Sequence, residues 1–447
     1  MNSNQKKNIR RSWGQIFRFI AYSLLAVWVA DYFLLHPSKV THAELLPPPS
    51  EFQDLSRRLS DHVHYLASPE LKGRKYGTPG NKAAEKYITK NFIELGLSAS
   101  GPKGSRTQLV HKAIGNNVFS ALTPIIPGRK WIVLGAHFDH LGEEDGKVFL
   151  GADDNASAVA ILLETARLLQ KGPGLNQYNL LFISFNSEEP PNFLTQWMGS
   201  NHFMGKPWEA GIEEEDIQMA IIMDLMGGVF WKPLQDTVFA VGTEKTAALE
   251  SLVPQIQIPG LQVRPLGLHM VESIPTQGRT PFSDYDAFRN EEIPILFLSS
   301  GRTPHYHRPT DTAEKLNYTR MARSVVWLEQ YLRAVDRQKA PMHFDIDRQN
   351  LINDLNSIQP LVQKASTWSG RIPGTSIITL LDIKQDRDRL QEIQAKINHQ
   401  KTVSPYDAYA LSQASIRLQC LLGDMGPCFL MPDADDYDED FDQEDDE

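Results

Sequence analysis

The sequence predicts an α/β protein with a central, mixed but largely parallel β-sheet flanked by helices. Short runs rich in apolar, β-branched and aromatic residues recur at 116–122, 130–139, 179–186, 219–228, 236–242 and 293–301. Several of these runs are apolar almost throughout, which is typical of strands buried on both faces. Helical patterns lie between them, such as NASAVAILLETARLLQKG at 155–172. This alternation favours a layered α/β arrangement.

The N-terminal region predicts a segment that enters a membrane. Five basic residues and no acidic one occupy the first eighteen positions, and a mostly apolar run follows at 16–35. Such a run just spans a bilayer, but Asp31 shortens its uninterrupted core to the size of a signal-peptide h-region. We expect a cytoplasmic stretch at 1–15, a transmembrane anchor or alternatively a cleaved signal peptide at 16–35, and a Pro-rich linker at 36–50. The rest is then extracytoplasmic, and periplasmic if the source is bacterial.

The C-terminal region changes character. Three charged segments of helical period, at 344–365, 377–400 and 405–422, predict a helical extension over 339–431. The last fifteen residues carry eleven acidic groups and no basic one, which predicts a disordered acidic tail at 432–447.

Composition limits the classes of partner. No basic stripe is interleaved with aromatic residues, so a nucleic-acid partner is not expected. The only cysteines, Cys420 and Cys428, can pair if the chain is exported and are two thiols if it is cytosolic. Neither the oligomeric state nor the role of the acidic tail follows from these patterns.

Metal-binding residue types stand at the ends of successive predicted strands. They are His137, Asp139, Asp153, Asp154, Glu188, Glu189, Asp224, His305 and His307. In open α/β sheets the carboxyl ends of the strands meet at the edge where ligands bind. A mixed set of histidines and carboxylates suits zinc. Each residue alone has an ordinary explanation, such as helix capping for Asp153 and Asp154, but the joint arrangement predicts a metal site.

Two local patterns suggest roles. Asp139 follows His137 by two residues on the same face of an extended strand, so its carboxylate can orient the imidazole. Glu188 and Glu189 are adjacent and point in divergent directions, so one can bind metal while the other handles protons.

Five motifs resemble, in order, those of the di-zinc aminopeptidase family, which also contains glutamate-carboxypeptidase-like enzymes and the glutaminyl cyclases. The motifs are GAHFDHLG, GADDNASAVA, NSEEP, MDLMGG and HRPTDT. The flanking stretches ELKGRKYGTPGNKAAEKYI and TPFSDYDAFRNEEIPILFLSSG resemble signatures of its bacterial exopeptidases. The resemblance extends over about 55–335 and implies the zinc-exopeptidase fold, with a peptidase domain at 51–338.

The resemblance also implies a ligand set for two zinc ions. His137 would bind one zinc and His307 the other, Asp154 would bridge them, and Glu189 and Asp224 would complete one site each.

By the same resemblance Glu188 is the general base and acid, Asp139 is the partner of His137, and Tyr306 helps to stabilise the oxyanion. Two departures affect the detail. The segment PPNFLTQW at 190–197 is inserted after the paired glutamates and is expected over the active-site mouth. Residue 305, often aromatic in relatives, is His305, so a ligand set using it stays open.

The expected function is a zinc-dependent exopeptidase, most simply an aminopeptidase that removes N-terminal residues from peptides with two zinc ions per chain. A glutaminyl cyclase with one zinc is the alternative. A membrane-tethered interaction module without catalysis would predict missing ligands, and every ligand position is filled by the expected residue type. The preferred N-terminal residue does not follow from the motifs.

Overall fold

The computed structural model describes residues 53–274, 278–425 and 428. The predictions for the N-terminal stretches at 1–15, 16–35 and 36–50 and for the acidic tail lie outside these residues. Within the described ranges no helix is both long enough and apolar enough to cross a bilayer.

In this part of the chain the strands form one large sheet and two small hairpins. The strands are β1 Thr107–His111, β2 Gly115–Ala121, β3 Trp131–His137, β4 Gly142–Glu144, β5 Lys147–Phe149, β6 Asn179–Phe185, β7 Ile217–Met223, β8 Thr237–Val241, β9 Gln262–Leu266, β10 Ser273–Ile274, β11 Gly278–Arg279 and β12 Ile295–Ser299. The helices are α1 Gln53–Leu66, α2 Pro79–Glu94, α3 Ala158–Lys171, α4 Gly199–Gly205, α5 Ala247–Glu250, α6 Leu268–Glu272, α7 Tyr285–Arg289, α8 Tyr318–Arg337, α9 Leu351–Ala365, α10 Ile377–Asn398 and α11 Pro405–Gly423.

The large sheet has the order β1-β2-β6-β3-β7-β12-β8-β9. Its four central strands, β6, β3, β7 and β12, are mutually parallel. The flanking strands β2 and β8 join this group antiparallel. The predicted mixed sheet flanked by helices is therefore confirmed. Because the central strands run the same way, their carboxyl ends meet at one edge.

Alternate side chains of the central strands point to opposite faces and build two cores. From β3, Ile132 and Leu134 pack on the face covered by α1, α2, α3 and α8. Trp131 and Val133 pack on the other face. The C-terminal helices α9 and α11 cover part of that second face, through residues such as Ile358. The helical extension is thus part of the same packed body as the sheet.

All six runs predicted as strands form strands. The structure adds β1, β9 and the hairpins β4–β5 and β10–β11, which the sequence patterns do not predict. The first predicted C-terminal helix starts at Leu351 instead of 344. There the Asn350 side chain accepts the N–H of Asn353 at 3.2 Å and caps the helix.

Candidate metal centre

The carboxyl edge of the four parallel strands holds the predicted ligands. His137 ends β3, Glu188 and Glu189 follow β6, and Asp224 directly follows β7. The loop after β12 carries His307. The structure therefore brings together residues that lie up to 170 positions apart in the sequence.

One group of potential ligands consists of His137, Glu188 and Asp224. A ligand atom from each lies within 4.8 Å of the others, and all three residues are buried. The imidazole Nε2 of His137 is 3.6 Å from Asp224 Oδ1 and 3.8 Å from Glu188 Oε2. This is one candidate site for a cation.

The second group consists of His140, Asp154 and Glu189, which meet the same distance limit. His307 lies against this group, because its Nε2 is 3.0 Å from Glu189 Oε2 and 3.2 Å from Asp154 Oδ2. The predicted ligands Asp154, Glu189 and His307 are therefore together, and His140 joins them.

Asp154 lies between the two groups. Its Oδ1 is 3.5 Å from His137 Nε2, while its Oδ2 is 3.2 Å from His307 Nε2. One carboxylate thus offers an oxygen to each side, which is the arrangement that a bridging ligand requires. The predicted roles of these residues stay predictions, and their geometry is compatible with them.

Several buried polar atoms at this edge lack a hydrogen-bond partner among the described residues. They are both ring nitrogens of His137, Nε2 of His140, Oδ2 of Asp154, Oδ1 of Asp224 and Nε2 of His307. Buried polar atoms normally have partners, and leaving one without costs about 1–3 kcal/mol. Cations bound at this edge would satisfy the atoms that face one another, which are Nε2 of His137 and of His307, Oδ2 of Asp154 and Oδ1 of Asp224. The nitrogen and oxygen donors match what zinc accepts, so the residues fit the predicted metal.

The electrostatics of the edge also favour a cation. Burial is the largest effect on Glu188 and raises its pKa well above the ordinary value, with a further rise from the charge of Glu189. Burial likewise raises the pKa of Asp224 and brings that of Asp284 to about 7. Too many carboxylates converge here for all to ionise at neutral pH without a compensating charge.

The histidines partly supply that charge. Burial alone would lower the pKa of His137, but the charges of Glu188 and Asp224 raise it well above its ordinary value. Burial also opposes protonation of His307, yet Asp154 and Glu189 raise its pKa to about 10. In both rings the carboxylates lie beside Nε2, which is the nitrogen that would bind a metal.

Asp139 orders the paired glutamates. Its Oδ1 accepts the backbone N–H of Glu188 at 3.0 Å, and its Oδ2 accepts that of Glu189 at 3.3 Å. The distance from Oδ1 to His137 Nδ1 is 3.7 Å, which is too long for a direct hydrogen bond. That Asp139 orients His137 stays a prediction, and the structure shows that it also fixes the backbone at 188 and 189.

The loop that bears Asp154 is fixed by two further acids. Asp311 accepts the backbone N–H groups of Asp153 and Asp154 at 2.9 and 3.1 Å. Asp153 Oδ1 in turn accepts those of Gly227 and Gly228 at 2.7 and 2.8 Å. A methyl group on Gly228 would lie 2.3 Å from Asp153 Oδ2, so this approach requires glycine. Asp153 is thus a structural carboxylate, and Asp154 faces the site.

A fully buried arginine, Arg74, binds the backbone of the same loop. The Arg74 guanidinium donates to the carbonyls of Leu66, Phe138, Leu150 and Gly151 at 2.6–2.9 Å. Phe138 separates His137 from Asp139, and Gly151 starts the loop of Asp154. Burial lowers the Arg74 pKa to about 10, and the group still carries a positive charge at neutral pH. It links the backbone of the two ligand-bearing segments.

The alternative ligand His305 lies elsewhere. Its Nδ1 is 3.0 Å from Thr310 Oγ1, and it belongs to neither ligand group found among the described residues. Tyr306 stacks on the ring of His307 with centroids 3.8 Å apart and lies under the guanidinium of Arg302. The geometry favours His307 over His305 as the histidine of this loop.

Two residues at the edge are missed by the sequence reasoning. His140 is wholly buried, and its Nδ1 is 2.7 Å from Glu189 Oε1. Asp284 is also wholly buried, and its pKa responds to His137, Asp139 and Asp224. The second histidine of GAHFDHLG was a usable signal for His140, whereas the TPFSDYD stretch gives little sign that Asp284 reaches the site.

The inserted segment at 190–197 starts beside Glu188 and Glu189. Asn192 Nδ2 donates to Ser187 Oγ at 2.7 Å, one residue before Glu188. Trp197 packs edge-on against His111 at the end of β1, with ring centroids 5.0 Å apart. That the segment covers the mouth of the site stays a prediction.

The two ligand groups form a candidate metal centre at the carboxyl edge of the large sheet. Residues 117–330 match the model of peptidase family M28, which confirms the family resemblance of the motifs and supports a peptidase-type enzyme. Zinc is the metal that this match supports, and the match does not fix the number of ions per chain.

Three proteins similar to this chain are described by their identity and coverage. An uncharacterized protein of Escherichia coli (strain K12), YfbL, is 28% identical over 314 residues, covering 65% of this chain and 88% of the relative. The glutaminyl-peptide cyclotransferase of Drosophila melanogaster is 25% identical over 311 residues, covering 63% and 81%. The solved structure of the Legionella pneumophila LapA aminopeptidase is 17% identical with a TM-score of 0.46, covering 69% and 79%. The curated relatives leave the reaction open.

Proposed function

We propose that this chain is a zinc-dependent aminopeptidase that releases N-terminal residues from peptides with two zinc ions. The observation that carries the proposal is the position of Asp154, which faces His137 with one oxygen and His307 with the other. His137 and Asp224 would hold one ion and Glu189 and His307 the other. Zinc bound there would polarise the scissile carbonyl and lower the pKa of water.

Glu188 is placed to move the protons. Its side chain is buried beside His137, and its backbone is held by Asp139. Its raised pKa suits a group that takes a proton from the attacking water and passes it to the leaving amine. The Tyr306 hydroxyl is the proposed donor to the oxyanion.

A glutaminyl cyclase is the second candidate, because cyclotransferases are among the curated relatives. That reaction needs one zinc and no attacking water. The buried pair of His137 and Asp224, with Nε2 and Oδ1 3.6 Å apart, would then have no metal to hold. The presence of the group with His137 and Asp224 therefore favours the peptidase.

The deciding experiment combines elemental analysis of the purified chain with a product assay on aminoacyl chromophores and N-terminal glutaminyl peptides. Two zinc ions per chain with release of free amino acids is the expected result. One zinc ion with formation of pyroglutamate would favour the cyclase. Absence of both metal and turnover would overturn the enzyme assignment.

We also propose that the catalytic domain works outside the cytoplasm, attached through the apolar segment at 16–35 or released by its cleavage. The disulfide between Cys420 and Cys428 supports this, because such bonds persist in oxidising compartments. Fractionation of cells that express the full chain, with protease treatment from outside, tests it. Protection from the protease in intact spheroplasts would contradict the proposal.

A further inference from the structure

An apolar cavity of about 150 Å³ borders the candidate metal centre. Asp224 and Tyr306 line it on the side of the metal groups. Its other walls are mostly apolar and include Trp231, Phe239 and Phe297. A cavity of this size lined by such residues accepts a group as large as benzene. The space therefore fits one aromatic ring or branched aliphatic side chain.

Part of the wall comes from the C-terminal helices. Helix α9 contributes Ile358 and Leu361. Helix α11 contributes the residues at 415, 416, 418, 419 and 422, and the spacing of 415, 418, 419 and 422 places these four on a single face of the helix. Both helices lie outside the stretch at 117–330 that matches the family model. This wall is therefore a property of the extension and not of the matched domain.

The polar groups on this wall already have partners. Ser415 Oγ and Gln419 Nε2 both donate to the carbonyl of Met270, at 3.1 and 3.0 Å. The Arg302 guanidinium packs over the ring of Tyr306, 4.4 Å from its centroid. A charged substrate side chain that lies against α9 and α11 would lose its hydration without gaining a partner from these helices, whereas an apolar one gains from burial.

The end of α11 is held beside the histidine loop. The disulfide between Cys420 and Cys428 closes the chain just beyond the helix. Within that closed loop Asp424 forms an ion pair with Arg308, 3.3 Å apart, next to His307. This contact places the end of the wall beside the loop that bears His307.

We propose that α9 and α11 form the outer wall of the pocket that receives the side chain of the substrate's first residue, and that this extension selects peptides with a large apolar N-terminal residue. The inference rests on the proposed aminopeptidase function. A peptide whose amino end lies at the metal groups would place its first side chain against Asp224 and Tyr306, where the cavity begins.

Binding and turnover test the proposal separately. L-phenylalaninol and L-alaninol, which cannot be hydrolysed, are titrated calorimetrically into the zinc-loaded chain. In parallel, kcat/KM is measured for phenylalanyl, leucyl and alanyl p-nitroanilides. We expect phenylalaninol to bind at least about 10-fold more tightly than alaninol, and the kcat/KM values to follow the same order.

Three variants locate the effect in the extension. Leu422→Trp, at a half-buried position, fills the cavity and should lower the phenylalanyl-to-alanyl ratio about 10-fold or more. Leu418→Ala enlarges it and should raise the ratio of phenylalanyl to leucyl turnover. Leu411→Ala makes the same truncation at a buried position of α11 outside the lining and should change neither ratio.

Equal binding of the two alcohols would overturn the proposal. The proposal would also be overturned if the kcat/KM ratios of Leu422→Trp and Leu418→Ala matched those of Leu411→Ala. A third outcome is that phenylalaninol binds selectively, that Leu422→Trp loses this selectivity, and that no substrate is hydrolysed. This outcome would support the pocket and contradict the aminopeptidase assignment. The two proposals can therefore fail independently.

Discussion

The imidazole of His140 lies 2.7 Å from the carboxylate of Glu189, and both side chains are buried at the carboxyl edge of the sheet. The same Nδ1 is 3.8 Å from Oδ2 of Asp154. A histidine that holds a metal-binding carboxylate in this way fixes the direction of its lone pairs. His140 therefore belongs to the candidate metal centre, where it could act as a ligand itself or through Glu189.

Replacing His140 by alanine should weaken zinc binding by roughly 10–100-fold, because Glu189 loses the group that orients it. Competition with a chelating dye measures the affinity. His305→Ala is the matched control, since His305 lies near the site but contacts Thr310. Equal affinities in the two variants would show that His140 has no role in the centre.

Glu188→Gln and Glu189→Gln make the same chemical change at adjacent residues and should differ in outcome. Loss of the proton carrier at Glu188 should lower kcat by about 10²–10⁴-fold while the metal content stays unchanged. Loss of charge at Glu189 should lower the metal content itself. Elemental analysis and turnover on one set of samples distinguish them. Near-normal turnover in Glu188→Gln would rule out its assignment as the base.

In the metal-free protein, the free energy of unfolding should decrease as the pH rises from 5 to 7.5. Burial raises the pKa of Asp153 and of Asp284 to about 7, against about 3.9 in an unfolded chain. Between these values the folded protein binds more protons than the unfolded one, so its stability decreases with pH. The raised pKa of His307 acts in the same direction above pH 6.5.

Thermal unfolding with and without a chelator, at several pH values, measures this effect. We expect the Tm of the metal-free protein to be about 5 °C or more lower at pH 7.5 than at pH 5. Zinc should restore most of the difference, and Asp284→Asn should reduce the slope. A metal-free Tm that rises with pH over this range would contradict the assignment of these carboxylates.

Arg74→Lys should destabilise the fold by about 2–4 kcal/mol, since an ammonium group cannot replace the guanidinium fork and at least two carbonyls lose their donor. Chemical denaturation of the zinc-loaded protein measures the change. Arg57→Lys, with a side chain 70% exposed on α1, is the control and should stay within about 0.5 kcal/mol. If Arg74→Lys and Arg57→Lys changed the free energy of unfolding equally, the guanidinium group of Arg74 would not be needed for stability.

The strand ends and most of the metal centre could be predicted from the sequence because both depend on local pattern. Buried parallel strands are apolar throughout, so their ends are sharp and the polar residues there stand out. His137 and the pair at 188 and 189 follow β3 and β6 in this way. The direction of each side chain could not be predicted, since it depends on neighbours such as Asp311 that lie far away in sequence.

The missed strands have a physical explanation. Strand β9 lies at the sheet edge and contains Arg264 and Pro265, so it lacks the signature of a buried strand. The β4–β5 hairpin turns at Asp145 and Gly146, both with positive φ, and an Asp-Gly pair is a recognisable hairpin signal. The buried Arg74 gave no comparable sign, because its partners are backbone carbonyls.

Asp311 joins the two halves of the metal centre through the backbone. It lies four residues after His307 and accepts the N–H groups of Asp153 and Asp154, so the loop bearing the histidine and the loop bearing the shared carboxylate are held as one unit. An ion that orders either loop lowers the cost of ordering the other. Binding of zinc at the two proposed metal sites should therefore be cooperative, and activity should rise steeply over a narrow range of free zinc concentration.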